Sequence, residues 1–296
     1  MFLFVSLSVA TSCGDDDAPV PGGNGEVYDD YEGLTVGVVE EGEEGLVSFA
    51  PGTSFGVFVF ADITSYAVAN ANAHLVVRDE TASRAGLSLA GGAGICGYSP
   101  YNENWSEINV AGDLPFGIAA DQRADSVLLA NDLMIAPLAA IADGKATLRF
   151  SRVMARVNIR ITDKTGKYDL NDVEVCLPSR SSGVMVNLLS GNTRTVAGME
   201  MDINACVSGN GTDVVEADAV LPPDTVEAGS TLFTFSVGGN TFSYIVSGDE
   251  VWESGKQYTY SLELAETGLT FVGSQVDGWE SGNEDTEIVA SEADAL

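Results

Sequence analysis

The chain carries one histidine, His74. Catalysis through a Ser-His or Cys-His pair would have to use it, since such a nucleophile needs an adjacent base. It lies beside the apolar run Leu75-Val76-Val77 with no Cys or carboxylate at ligand spacing, and reads as a loop or strand-edge residue. Gly92-Ala93-Gly94-Ile95-Cys96-Gly97 has the spacing of a dinucleotide-binding loop. That loop must open a helix whose N-terminus faces the phosphate, whereas here Pro100 and Asn-rich sequence follow at once, so the segment reads as a turn. No nucleophile elbow, phosphate loop or zinc-protease helix motif occurs. The acidic pairs Asp29-Asp30, Glu40-Glu41 and Glu43-Glu44 fall in turns or linker, where solvated charge is expected rather than a glycosidase carboxyl of raised pKa. Asp163, Asp169, Asn171 and Asp172 lack the spacing of a calcium-binding helix-loop-helix and read as a hairpin turn. The expectation is a protein that is not an enzyme, with no cofactor and no metal.

Three groups of side chains suit binding instead. Tyr98, Tyr101 and Trp105 lie together in a Gly/Asn-rich loop and are the candidate ligand-contact residues, as a sugar platform, with core packing as the alternative. Arg149, Arg152, Arg156 and Arg160 concentrate cations on an otherwise acidic chain. The last three share a face opposite the apolar one, which suits cross-strand pairs with Asp or Glu or a docking surface for an acidic neighbour. Cys96, Cys176 and Cys206 fit no metal motif and read either as small buried thiols or, for the last two, as a bridge.

These residues need elements to position them. At 296 residues the chain can hold two all-β domains, each with its own core. The formal charge is -31, and no Lys or Arg precedes Arg78. Nucleic acid is excluded as a partner, because phosphates demand a basic patch. Residues 1–13 form an apolar run of signal-peptide length, too short to span a bilayer as a helix. Val9-Ala10-Thr11-Ser12-Cys13 has the form of a lipobox with Cys13 as the lipidated residue; an ordinary secretory signal is the alternative. The basic n-region is missing, so the true start is expected further upstream. Residues 14–32, rich in Gly, Pro and Asp, read as a flexible acidic tether.

The chain then alternates short apolar runs with Gly, Asn and Asp. Leu34 to Val38 starts the strand signals, and Phe55 to Phe60 reads as a strand buried on both faces. Ala67 to Ala73 reads as a short helix or an excursion loop, and Ser126 to Ala130 and Asp132 to Ala136 as short segments of the same kind as the strands. Phe233, Phe235 and Val237 against Phe242, Tyr244 and Val246, joined by Gly238-Gly239-Asn240, form the best hairpin signal. The stretch Leu148 to Ile161 organises the rest. Leu148 and Phe150 occupy even positions, whereas Val153, Ala155, Val157, Ile159 and Ile161 are odd. Since a strand has a side-chain period of two, the chain leaves one core and enters another near Arg152. Short strands with no helical period between them predict antiparallel β-sandwiches: an N-terminal domain over 33–152, a C-terminal domain over 153–279 and an acidic tail over 280–296.

Taken in order, the motifs resemble those of the fimbrillin family, the subunits of type V pili and their relatives. The residues that carry this are Gly97-Tyr98-Ser99-Pro100-Tyr101, Asn131 to Ala136, Leu148 to Arg152 with Ala155-Arg156-Val157, Val220-Leu221-Pro222-Pro223, Ser254 to Tyr260, and Trp279. The resemblance implies two transthyretin-like, Greek-key β-sandwich domains in tandem and export as a surface lipoprotein of the outer membrane. It implies assembly with other fimbrial subunits by strand exchange, which is β-augmentation with alternate side chains entering pockets. Asp15-Asp16-Asp17 resembles an acidic surface-export signal. Stalk subunits of the family are cut after an early Arg, and here none precedes Arg78, so the chain is expected either to keep its lipid on Cys13 as an anchor, tip or accessory subunit or to mature through a protease of another preference. A tail after Trp279 whose only apolar portion is Thr286 to Ala290 favours the same role over a donor. The partners expected are fimbrial subunits, the outer membrane, and a host or bacterial surface glycan or protein. The rival is a monomeric cell-surface glycan-binding lipoprotein.

Overall fold

The computed structural model describes residues 33–40, 45–77, 87–107, 109–209, 214–265 and 268–279. The expectations for the lipobox at Cys13, the tether, Arg78, Arg84 and the acidic tail fall outside them. In chain order the strands are β1 (Leu34–Val38), β2 (Ser54–Asp62), β3 (Ala67–Val76), β4 (Gly94–Ser99), β5 (Leu114–Gly117), β6 (Met134–Ala140) and β7 (Ala146–Arg152). Then come β8 (Ala155–Asp163), β9 (Val173–Ser181), β10 (Gly183–Val186), β11 (Thr193–Thr195), β12 (Glu200–Asn204) and β13 (Cys206–Ser208). The last are β14 (Val214–Leu221), β15 (Asp224–Val226), β16 (Thr231–Val237), β17 (Asn240–Ile245), β18 (Glu250–Trp252), β19 (Lys256–Ala265) and β20 (Gly268–Gly278). Among the described residues there are also one short α-helix, α1 (Asp125–Asn131), and a 3-10 turn at Glu103–Glu107.

The fold is an all-β sandwich architecture. Six strands in the order β1-β7-β6-β4-β2-β3 make the first sheet. Five in the order β13-β14-β8-β19-β20 and four in the order β12-β9-β16-β17 enclose a second core, with Val157, Ile159 and Tyr260 from one sheet and Leu177, Phe233 and Phe235 from the other. Most pairings are antiparallel, but β1 runs parallel to β7 and β8 parallel to β19. The phase change expected near Arg152 is visible in burial: Ala146, Leu148 and Phe150 point inward along β7, and Ala155, Val157, Ile159 and Ile161 along β8. Val153 and Met154 are both buried at the crossing, and the two strands belong to different sheets.

β2 is buried on both faces, as its unbroken apolar run requires. Phe55, Val57 and Val59 enter a small core with Leu148 and Phe150, while Phe58 and Phe60 enter the larger one. The hairpin β16–β17 turns on Gly238 and Gly239 alone, at φ 55° and 76°, with Val237 opposite Asn240. Left-handed φ at both central residues gives the turn whose twist matches the strands. Asn240 therefore belongs to the strand and not to the loop.

Two elements differ from expectation. Ala67 to Ala73 is neither helix nor loop but the start of β3, an edge strand with three register shifts against β2 and a left-handed Asn72 at φ 50°. Its Ala/Asn composition carries no strand propensity, and the ladder to β2 imposes the conformation. Ser126 to Ala130 is the body of α1, a reminder that a short apolar run has no readable period. The segment around α1 also reaches across the molecule. β5 pairs with β10, and the side chain of Gln122, fully buried, donates to the Val220 carbonyl at 2.9 Å and accepts from the Val220 amide at 2.8 Å. An amide side chain thus replaces a strand neighbour at the end of β14.

Two substitutions test this packing. A Cβ on Gly56 would lie 2.5 Å from the Tyr98 ring and from Asn72 Oδ1, whereas one on Gly248 would meet nothing within 4 Å. Gly56→Ala should cost about 1–3 kcal/mol in urea unfolding, and Gly248→Ala should stay within about 0.5 kcal/mol. Phe235→Ala, at the centre of the β9–β16 pairing, should cost about 3–5 kcal/mol by the same measurement.

Candidate functional site

The seat of β1 combines the features that strand recognition needs. Leu34, Val36 and Val38 alternate with Thr35 and Gly37, and all three apolar side chains are buried in the small core. Each contributes about 1.5–3 kcal/mol by leaving water. Beneath them Phe49, Phe55 and Phe150 form a ring cluster, with Phe150 edge-on to Phe49 at 5.1 Å and to Phe55 at 5.7 Å. The ladder to β7 matches Leu34 with Ala146 through Val38 with Phe150. Among the described residues the outer edge of β1 is met only by a bridge from Val38 to Val47. The strand is therefore held by one ladder and by side chains in pockets.

Just past β1 stands a buried ionic junction. Arg152 Nε donates to Asp132 Oδ2 at 3.1 Å, and Nη1 donates to Glu40 Oε1 at 3.5 Å and to the Trp279 carbonyl at 2.8 Å. The guanidinium carbon lies 4.8 Å from the centroid of the Trp279 ring. Side chains of Arg152, Glu40 and Asp132 are 8, 4 and 12% exposed. Burial raises the Asp132 pKa, and the neighbouring Arg152 opposes that rise. Glu40, expected as solvated turn charge, is thus interior. Neither it nor Asp132 nor Trp279 is marked for this role by local sequence, because their meeting is purely tertiary. Arg152 has turned away from Arg156 and Arg160, which make the expected cross-strand pairs with Asp218 at 2.9 Å and Glu216 at 2.8 Å.

The aromatic candidates separate. Tyr98 and Trp105 are buried, with ring centroids 4.4 Å apart. The Tyr98 hydroxyl donates to Asn72 Oδ1 at 2.6 Å, and burial pushes its pKa up to about 12. Tyr101 is half-buried and stacks on exposed His74 at 3.9 Å, nearly parallel at 10°, on the edge strand β3. His74 is the strand-edge residue its context implied. The Gly92 to Gly97 segment is a turn only to Ala93 and then β4, where Gly94 and Gly97 admit Ile63, Leu138, Phe150 and Leu148. Asp163 accepts from the Thr165 amide and hydroxyl and from the Tyr168 amide, closing its own turn. Cys96 and Cys176 are free thiols, so the bridge from Cys176 to Cys206 is not made. A surface hollow of about 360 Å³ is lined by Arg123 and Glu174, and another of about 510 Å³ by Lys145 with Thr35 of β1 and Ala146 of β7.

Comparison with known proteins gives these features a context. The chain superposes on a candidate cell adhesion protein from Bacteroides uniformis with a TM-score of 0.60 at 18% identity, over 78% of this chain and 93% of that one. It superposes on another from Bacteroides ovatus with a TM-score of 0.61 at 16% identity, over 84% and 98% of the two chains. At such identities the likeness is one of fold. No curated protein matches the sequence. The profile of the fimbrillin-like family matches residues 87–279, well over half of the sequence and including most of the larger core, and the chain belongs to that family.

Proposed function

We propose that this protein is a surface-exposed fimbrial subunit or fimbria-associated adhesin that assembles by β-strand exchange and remains attached to the outer membrane through lipid on Cys13. The observation that supports strand exchange is the seat of β1, a parallel edge strand whose three alternate side chains fill the small core. An incoming strand with the same alternation would find the same ladder and the same pockets. Membership of the fimbrillin-like family supports the fimbrial part of the reading. The anchor, tip or accessory role rests on the basic residues. Cleavage after Arg78 or Arg84 would sever β1, β2 and β3 together, and β2 is an interior strand of the first sheet. A subunit that opens its groove by losing one strand needs a cleavage site nearer the start of the domain.

The reading also keeps the tandem organisation, with sandwich domains over 33–152 and 153–279. A second reading, a monomeric glycan-binding lipoprotein, draws on Tyr101, whose ring shares a surface platform with His74. In that reading Tyr98 and Trp105 support the platform from inside.

Mass spectrometry of the native mature N-terminus should find acylated Cys13; a terminus generated by cleavage after Arg78 or Arg84 overturns the anchor role. Outer-membrane extracts resolved without boiling should show this chain in detergent-resistant species with other subunits. A strictly monomeric chain whose sugar binding is lost in Tyr101→Ala would instead decide for the glycan reading.

A further inference from the structure

β20 is the outermost strand of the five-stranded sheet and β17 that of the four-stranded sheet. The two edges lie on the same side of the second core, where Tyr244 stacks on Phe271 with ring centroids 5.3 Å apart at 16°. Here the apolar face of β20 outruns its cover. Val276 stands opposite Tyr258 and Phe271 opposite Leu262, so both belong to the core face, on which Tyr258 and Leu262 are buried. Yet Val276 is 56% exposed, Phe271 42% and the adjoining Val272 44%. Among the described residues nothing pairs with the outer edge of β20. We propose that a second copy of this chain fills that edge, β20 pairing antiparallel with β20 of the copy about a two-fold axis at Ser274.

The strand is its own complement. Val272 and Val276 flank Ser274 symmetrically, with Gly273 and Gln275 between. Pairing about Ser274 sets each Val272 opposite the copy's Val276 and each Gly273 opposite the copy's Gln275, so that residues of one face meet one another. The bulge at Ser261 and Leu262 leaves Val272 in phase with Ser274 and Val276, and returns Phe271 to the core face. A two-fold contact of this kind uses the same edge on both copies and closes at the dimer.

Charge selects the same occupant. Edge strands are commonly guarded by Lys, Pro or an inward charge. From Gly268 to Gly278, β20 carries one charged residue, Asp277, on a chain of net charge -31. Copies of so acidic a protein repel one another over most of their surface and meet at least cost through an uncharged strip. The pairing keeps the two Asp277 carboxylates about 20 Å apart along the strands, beyond the screening length at physiological salt. A basic partner would find a single carboxylate on this edge.

Sedimentation of the full-length chain over a range of concentrations tests the pairing. The expected result is an equilibrium between monomer and dimer that added salt shifts towards dimer, because screening relieves the mutual repulsion. Val272→Lys and Val276→Asp should each weaken the dimer by about tenfold or more, and the double variant, whose two new charges face each other across the axis in both halves, should return to within about threefold. Ser274→Cys, on the axis, should form an interchain disulfide under mild oxidation, whereas Gln275→Cys, offset from its copy, should not. A chain that stays monomeric, single variants that leave the dimer unchanged, a double variant no tighter than the singles, or a bridge as ready from Gln275→Cys as from Ser274→Cys overturns the proposal. So does protection of the β20 amides from hydrogen exchange in the monomer that is lost on truncation after Trp279, since residues 280–296 would then be the cover. The pairing does not rest on strand exchange at β1, which uses another edge, and the β20 variants should leave detergent-resistant assembly with other subunits unchanged.

Discussion

A guanidinium taken out of water has to be surrounded by acceptors, and that requirement at Arg152 draws together stretches of the chain that are remote in sequence. Its charge is too costly to bury alone. Among the described partners are two carboxylates, one carbonyl and one aromatic face, and they arrive from both ends of the described chain and from its middle. The crossing from β7 into β8 follows directly. Once Arg152 is committed to the junction, Val153 and Met154 enter the interior, and the apolar stripe resumes on the other parity in another sheet.

Around that crossing the two cores are unequal in kind. The small one is closed largely by β1 and by a cluster of phenylalanines, so its integrity depends on one short strand. The large one is shared by two sheets and extends along β2 and β4 into the region of Tyr98 and Trp105. β5 and Gln122 bind that region to the later strands by ladder and side-chain hydrogen bonds, and Leu114 and Ile118 share the large core with Val184 and Val186 of β10. The described fold thus has at its small core an edge strand held by a single ladder and is continuous elsewhere. That is the distribution of stability that strand recognition at β1 would require, since an exchanged element has to come from the least cooperative part of a fold.

Sequence reasoning reached those features whose cause is local. The unbroken run Phe55 to Phe60, the Gly238-Gly239 turn and the parity change after Phe150 are each dictated by a side-chain period or by allowed φ, and each takes the expected form except that the turn is one residue shorter, Asn240 being in the strand. β3 was hidden because Ala and Asn adopt its strand only under the ladder to β2, and α1 because seven residues hold too few turns to show a period. The parallel pairings leave no trace in a single strand's pattern. At the site, the apolar alternation of Leu34, Val36 and Val38 was legible. The burial of Glu40 was not, because one carboxylate beside others gives no sign of the arginine that will meet it from 112 positions away.

Cys96 shows what the packing of the first sheet entails for reactivity. It sits opposite Phe58 on β4, wholly enclosed, and burial pushes its pKa up to about 12. A thiolate at that site forms only when the strands part, because an alkylating reagent has no route to sulfur in the closed sheet. The side chain is in effect a chronometer built into the protein: its rate of modification counts how often β2 and β4 separate.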